Sequence, residues 1–226
     1  MVPVDLVLFD CDGVLIDSEL ISGECAAAEL AQVGMHLSAE EVLQRFLGRS
    51  RKEIAGVARQ AGHPVPVDFV ERLEARIHQR FEQQLCAIDG VRDILTTIQC
   101  AICVASGSSL SYIHRALNLT CLSSPFGDHL FSAAMVRHPK PAPDLFLYAA
   151  AKMNVLPPGC LVVEDSLTGV MAAKAAQMPV VGFLGGSHLR PEMVRADYYA
   201  AGCQAVFDSM QEFGTYLKTL GAIKQQ

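Results

Sequence analysis

Short apolar runs, each closed by turn residues, recur along the chain at residues 4–10, 101–105, 160–163, 180–184 and 205–207. A run without polar alternation fits a strand buried on both faces. Between these runs, apolar positions spaced three and four apart predict helices over 91–98, 109–117, 144–153, 167–176 and 210–220. Strand and helix in alternation imply an α/β fold: a parallel sheet with helices on both faces. Residues 18–86 break that rhythm, with helical patterns at 19–33, from 39, at 50–61 and at 67–85 and no convincing strand. Ser38-Ala39-Glu40-Glu41 has the form of an N-cap followed by an acidic first turn. The block reads as an all-helical insert after the first strand, hinged at 16–18 and 87–90. The expected division is a core of 1–16 and 88–226 with an insert of 17–87. The tail after Gly221 is expected to fray.

Composition narrows the class. The chain is 51% apolar and 19% charged over 226 residues, enough to bury a core and incompatible with disorder. No apolar run reaches the roughly 18 residues of a membrane span. The opening Met1-Val2-Pro3-Val4-Asp5 lacks the basic-then-apolar pattern of a secretory leader. Eight scattered cysteines read as reduced thiols, so a cytoplasmic setting is expected. A net charge of −6 argues against nucleic-acid binding and leaves a small anionic ligand open.

In open α/β sheets ligands bind beyond the carboxyl ends of the strands, so chemistry is sought just after each apolar run. Asp10 and Asp12, two apart at a strand end, are either a carboxylate pair facing one pocket or a capping and turn pair. Facing carboxylates repel unless a cation relieves them, and an all-oxygen site suits Mg²⁺. Glu164-Asp165 brings more acid to the same sheet edge, or else caps the next helix. Ser106-Gly107-Ser108-Ser109 opens a helix and is either an anion site of hydroxyl and amides or a plain N-cap. Lys140 lies in the proline-rich stretch 138–144, as a fixed charge for phosphate or as a solvated side chain. Metal-binding carboxylates, a hydroxyl, an ammonium and helix-start amides together fit phosphoryl transfer. His138, His188 and the turn Gly185-Gly186-Ser187 lie near these loops and are given no role. Cys100-x-x-Cys103 lies at a strand with no second pair and is given no redox or zinc role, Cys11 reads as a buried thiol, and Phe46 and Phe81 read as core of the helical insert.

Asp10-Cys11-Asp12-Gly13-Val14-Leu15-Ile16-Asp17-Ser18 resembles the first motif of the haloacid dehalogenase superfamily, Ser106 its second, Lys140 its third and Glu164-Asp165-Ser166 its fourth. The insert resembles the helical cap of the β-phosphoglucomutase-like branch, and within it the chain looks most like sugar-phosphate phosphatases. The resemblance implies a Rossmann-like core and a Mg²⁺-dependent phosphomonoester hydrolase acting on a small sugar or sugar-acid phosphate of the 6-phosphogluconate kind. It implies Asp10 as nucleophile, forming an aspartyl-phosphate, and Asp12 as general acid and base whose backbone carbonyl also binds Mg²⁺. Asp165 would bind the metal directly and Glu164 directly or through water, while Ser106, Gly107 and Lys140 hold the phosphoryl oxygens. Arg51 and Arg49, in the cap loop Gly48-Arg49-Ser50-Arg51, would grip a second anionic group of the substrate. A small phosphorylated metabolite is the partner implied, and a monomer is the expectation. The alternatives are a β-phosphoglucomutase-type isomerase and a non-catalytic phosphate-binding protein. Against the first, Leu47 and Ser22 stand where those mutases tend to carry lysine and histidine; against the second, the quartet Asp10, Asp12, Lys140 and Asp165 is intact. Asp12 argues against a dehalogenase, and the lack of any lysine before Lys52 against a phosphonatase. Gln177 replaces the glycine usual after this helix and would be strained in a left-handed turn.

Overall fold

The computed structural model describes residues 3–223. In chain order the elements are β1 Leu6–Phe9, then four helices, α1 Glu19–Gln32, α2 Ala39–Phe46, α3 Arg51–Gln60 and α4 Phe69–Gln84. There follow α5 Val91–Thr97, β2 Ala101–Ser106, α6 Leu110–Leu119, α7 Ser123–Phe126, β3 Leu130–Ser132 and α8 Asp144–Lys152. The chain ends through β4 Cys160–Glu164, α9 Leu167–Ala175, β5 Val180–Phe183, α10 Pro191–Ala201, β6 Val206–Phe207 and α11 Met210–Thr219.

The strands form one parallel sheet in the order β3-β2-β1-β4-β5-β6. β1 is central and wholly buried, which is why it reads as an unbroken apolar run. Alternate residues feed opposite faces. Val7 and Phe9 join a cluster with residues of α5, α6, α7 and α11, where Phe9 meets Phe126 and Phe213 edge to face. Leu6 and Leu8 join a second cluster with residues of α8, α9 and α10. These layers set the carboxyl ends of β1, β2 and β4 side by side.

Between β1 and α5, α1 packs on α2 and α4, and α3 on α4. Ser38 and Ser50 each close a capping box, with Glu41 and Glu53, confirming the helix start expected at Ser38. Buried Glu29 on α1 is 2.8 Å from Arg76 and 3.1 Å from Arg72 of α4. The two passages between helices and sheet lie together: Asp17 N–H donates to the Cys86 carbonyl and Ile88 N–H to the Leu15 carbonyl, both at 3.0 Å.

Three elements lack the expected pattern. β3 is a three-residue strand at the sheet edge, too short for an apolar run. α7 is a single turn around Pro125. α10 starts on Pro191 and buries chiefly Tyr198, so its apolar face is too thin to stand out. The fraying expected after Gly221 is corrected for Ala222 and Ile223: both are buried, and Ile223 bridges Ile98. The rest of that tail, and Met1 and Val2 of the opening segment, lie outside the described residues. Among the described residues no helix is long and apolar enough to cross a membrane.

Candidate active site

Asp10 follows β1 and donates its N–H to the Val163 carbonyl at 3.0 Å, so the sheet itself aims it. Its Oδ1 accepts from Lys140 Nζ at 2.7 Å. The same ammonium donates to the Ala105 carbonyl at 3.0 Å and to Glu164 Oε1. Asp10, Glu164 and Asp165 are all buried, and each can offer an oxygen within 4.8 Å of the others. Two glycines make room for this. Gly13 has φ +72°, and a Cβ there would lie 1.9 Å from Asp165 Oδ2. A Cβ on Gly169 would come within 2.0 Å of Glu164.

The electrostatics follow from three buried acids facing one ammonium. Burial drives the Asp10 carboxyl well above the usual range; Lys140 opposes this, while Glu164, Asp165 and Asp12 reinforce it. Burial likewise lifts Asp165, helped by Glu164 and Asp12. Burial alone would lower Lys140, but Asp10 and Glu164 outweigh it and hold the ammonium charged. Half-buried Glu19, at the start of α1, is pushed up to about 8 by burial and then by Asp12 and Asp165. Such excess negative charge in a buried all-oxygen cluster fits a hard divalent cation.

The Asp12 side chain turns aside from this cluster. It accepts from Ser18 Oγ at 2.6 Å, Tyr112 OH at 2.6 Å and Ser108 Oγ at 2.9 Å. The cap of α6 is Ser109, which accepts from Tyr112 N–H, so Ser106 is free of that duty. The cap of α9 is Ser166, which accepts from Gly169 N–H and itself donates through N and Oγ to Glu164 Oε2 at 3.3 and 3.0 Å, so Glu164 steadies the helix start with one oxygen while the other faces Lys140. Ser106, Gly107 and Lys140 line the same cleft as Asp10, Asp12 and Asp165.

That cleft, about 1140 Å³, is walled on its far side by α1–α4 and the loop before α3. Arg49 and Arg51 both line it. The Arg51 guanidinium lies 5.3 Å from the centre of the Tyr112 ring, and its buried Nε has no partner among the described residues. Gly48 approaches Thr168 and Ser166 at the start of α9, so this loop reaches the sheet side. Leu47 and Ser22 also face the cleft.

His138 pairs with Asp144 at 2.8 Å on the outside, whereas the His188 side chain is fully buried with Nε2 3.1 Å from Asp165 Oδ2. Gly186 leaves space for that ring, and Ser187 donates through N and Oγ to Asp17. Phe46 and Phe81 are buried, as expected. Burial lifts the thiols of Cys11, Cys100 and Cys103; Cys11 and Cys103 are core residues, while Cys100 is half-buried just before β2. Ser18, Ser108, Tyr112, Glu19 and His188 thus belong to the site without having been assigned roles from sequence. Ser18 and Ser108 lie inside quoted motifs; Tyr112 and His188 carry no local signal beyond their nearness to a site loop.

Residues 7–183 match the family profile described as haloacid dehalogenase-like hydrolase. The chain is 31% identical over 191 residues to 6-phosphogluconate phosphatase of Escherichia coli K12, covering 83% of this chain and 86% of that one. It is 33% identical over 177 residues to hexitol phosphatase B of the same strain, covering 76% and 79%. Among solved structures it resembles a haloacid dehalogenase family hydrolase of Deinococcus radiodurans holding phosphate and sodium, with TM-score 0.82, 31% identity and full coverage of both chains.

Proposed function

Since the chain belongs to the haloacid dehalogenase-like hydrolases, we propose that it is a Mg²⁺-dependent phosphatase of small sugar or sugar-acid phosphates, working through an aspartyl-phosphate. The observation that carries this reading is the pair of aspartates in unlike surroundings: Asp10 against Lys140 beside two more carboxylates, Asp12 held by three hydroxyls. Asp10 stands inside the cluster, where a cation would hold it ionised as the nucleophile, and Asp12 stands beside it outside the cluster, where it would carry the proton.

Asp10, Asp165 and Glu164 would hold the ion, with the Asp12 carbonyl. Bound Mg²⁺ would neutralise the carboxylates and the phosphoryl oxygens. Lys140 draws negative charge off Asp10 and, with Ser106 and the Gly107 amide, receives the phosphoryl group. An Asp10 oxygen attacks phosphorus as the bond to the sugar oxygen breaks, and Asp12 gives that oxygen a proton. Asp12, now ionised, takes a proton from the attacking water; the acyl phosphate breaks, and Asp10 returns as carboxylate with phosphate released.

Residues 17–87 act in this reading as a cap, turning about the paired passages at Asp17–Cys86 and Leu15–Ile88 to shut water out. Arg51, with its unpartnered Nε, and Arg49 would take the substrate's second anionic group, as a sugar acid provides. Leu47 and Ser22 face the cleft without the lysine and histidine of the mutases, which favours release of phosphate over its return to the sugar. The 6-phosphogluconate and hexitol phosphatases named among the relatives support this substrate class. A monomer in the cytoplasm completes the proposal.

The test is phosphate release with Mg²⁺ over 6-phosphogluconate, hexitol phosphates, hexose phosphates and phosphoglycolate. We expect one or a few strong substrates and a loss of about 10³-fold or more in Asp10→Asn. Full turnover in Asp10→Asn would remove the nucleophile and the reading with it. Isomerisation of glucose 1-phosphate without phosphate release would replace the reading by the mutase.

A further inference from the structure

Tyr112 touches both sides of the cleft. It is 6% exposed on α6, which is rooted in the sheet. Its hydroxyl donates to Asp12 Oδ1 at 2.6 Å. Its ring carries Arg51 at 5.3 Å on one side and packs on Phe81 at 5.6 Å. The other donor to Asp12 Oδ1, Ser18, is of another kind: it stands at the N-cap of α1, on the passage into the helical block. If that block moves, Ser18 moves with it, while Tyr112 stays with the sheet.

A neutral carboxyl has one oxygen to give a proton and one that only accepts. Delivery from a fixed direction therefore needs the accepting oxygen to be held. We propose that Tyr112 is a positioning residue for Asp12, holding Oδ1 so that Oδ2 faces the leaving oxygen, with Arg51 on its ring strengthening that hold. A cation at a phenol ring draws electron density from the hydroxyl and makes it a better donor. The proton passes from Asp12 Oδ2 to the leaving oxygen, which keeps the electron pair of its broken bond to phosphorus; Tyr112 keeps its own proton. Ser108, the donor to Oδ2, can go on donating to a lone pair of Oδ2 while the Oδ2 proton passes to the leaving oxygen, and so need not leave.

The inference rests on the phosphatase reading and is tested by a leaving-group comparison. An alkyl phosphate must have its leaving oxygen protonated; p-nitrophenyl phosphate can release its phenolate unaided. The quantity is the ratio of kcat/KM for a hexitol phosphate to that for p-nitrophenyl phosphate, in wild type and in Tyr112→Phe, which keeps the ring and its packing. The ratio should fall at least fivefold in the variant. A smaller change, including an equal loss on both esters, overturns the role of Tyr112. Should Tyr112→Phe melt far below wild type, Arg51→Met decides: the kcat ratio for the same two esters, neither with a second anionic group, should fall at least twofold, and a smaller fall overturns the inference. A wild type that takes no hexitol phosphate is tested with its best alkyl ester of the panel above; one that hydrolyses no ester of that panel sinks the phosphatase reading and this inference together, whereas an active wild type with an unmoved ratio sinks only the inference.

Discussion

Gln177 turns the chain out of α9 with φ +58°, a region that side chains other than glycine enter at a cost. Gln177→Gly should therefore stabilise the protein, by about 0.5–1 kcal/mol, read as a higher urea midpoint at unchanged slope. The opposite case is Gly13, whose positive φ and 1.9 Å approach to Asp165 leave no room for a methyl group. Gly13→Ala should push Asp165 out of the cluster and weaken Mg²⁺ binding by roughly tenfold or more, as calorimetric titration would show. At this scale the sequence showed the groups that carry charge: Asp10, Asp12, Lys140, Glu164 and Asp165 stand at strand ends or in stiff loops, and all five line one pocket or cluster. What stayed hidden was whatever holds them. Tyr112 and His188 reach the aspartates from 100 and 23 residues away, through the fold and not through any local pattern.

Among the elements, α3 begins with a capping box, and Arg49 and Arg51 flank its cap residue. Ser50→Ala should cost about 1 kcal/mol of stability. Because the loosened turn carries the two arginines, KM for a doubly anionic substrate should rise several-fold while kcat changes less; an unchanged KM would detach this turn from substrate recognition. Boxes of this kind are legible because they are made within four residues. The same is true of β1, β2 and β4, whose two-sided burial writes an apolar run into the chain. It is not true of β3 and α10. An edge strand of three residues and a helix resting chiefly on Tyr198 bury too little to impose a period.

For the molecule as a whole, the buried acids couple stability, protons and metal. Asp10 and Asp165 are lifted by burial and by their neighbours, so the folded protein keeps protons that the unfolded chain has lost. Their contribution to stability is full below about pH 4 and drains away as pH rises toward the folded values. A cation that takes the protons' place cancels that loss. Mg²⁺ should raise Tm little near about pH 5.5 and by several degrees near about pH 8. An equal rise at both would place the ion elsewhere. Glu29→Ala, removing the carboxylate between Arg72 and Arg76, should lower stability by about 2–3 kcal/mol, nearer the lower end of the buried-pair range because both arginines reach solvent. Thermal or urea unfolding would read it, and a loss under about 0.5 kcal/mol would show that α1 and α4 are held by apolar packing alone.

The neighbouring passages at Asp17–Cys86 and Leu15–Ile88 have a further consequence. A segment that leaves and re-enters a sheet at adjacent hydrogen-bonded points can be exchanged like a cartridge. The sheet and its strand ends would keep their own packing, losing only what reaches them from the segment, and a short turn in its place would still close the chain. On the proposed reading, taking such a segment from a hexitol phosphatase should bring over that enzyme's taste in sugars, with the rate of phosphoryl transfer kept by the host where the new segment also supplies the contacts of Ser18 and Arg51. Descent could then have tried many substrates against one unchanging reaction centre.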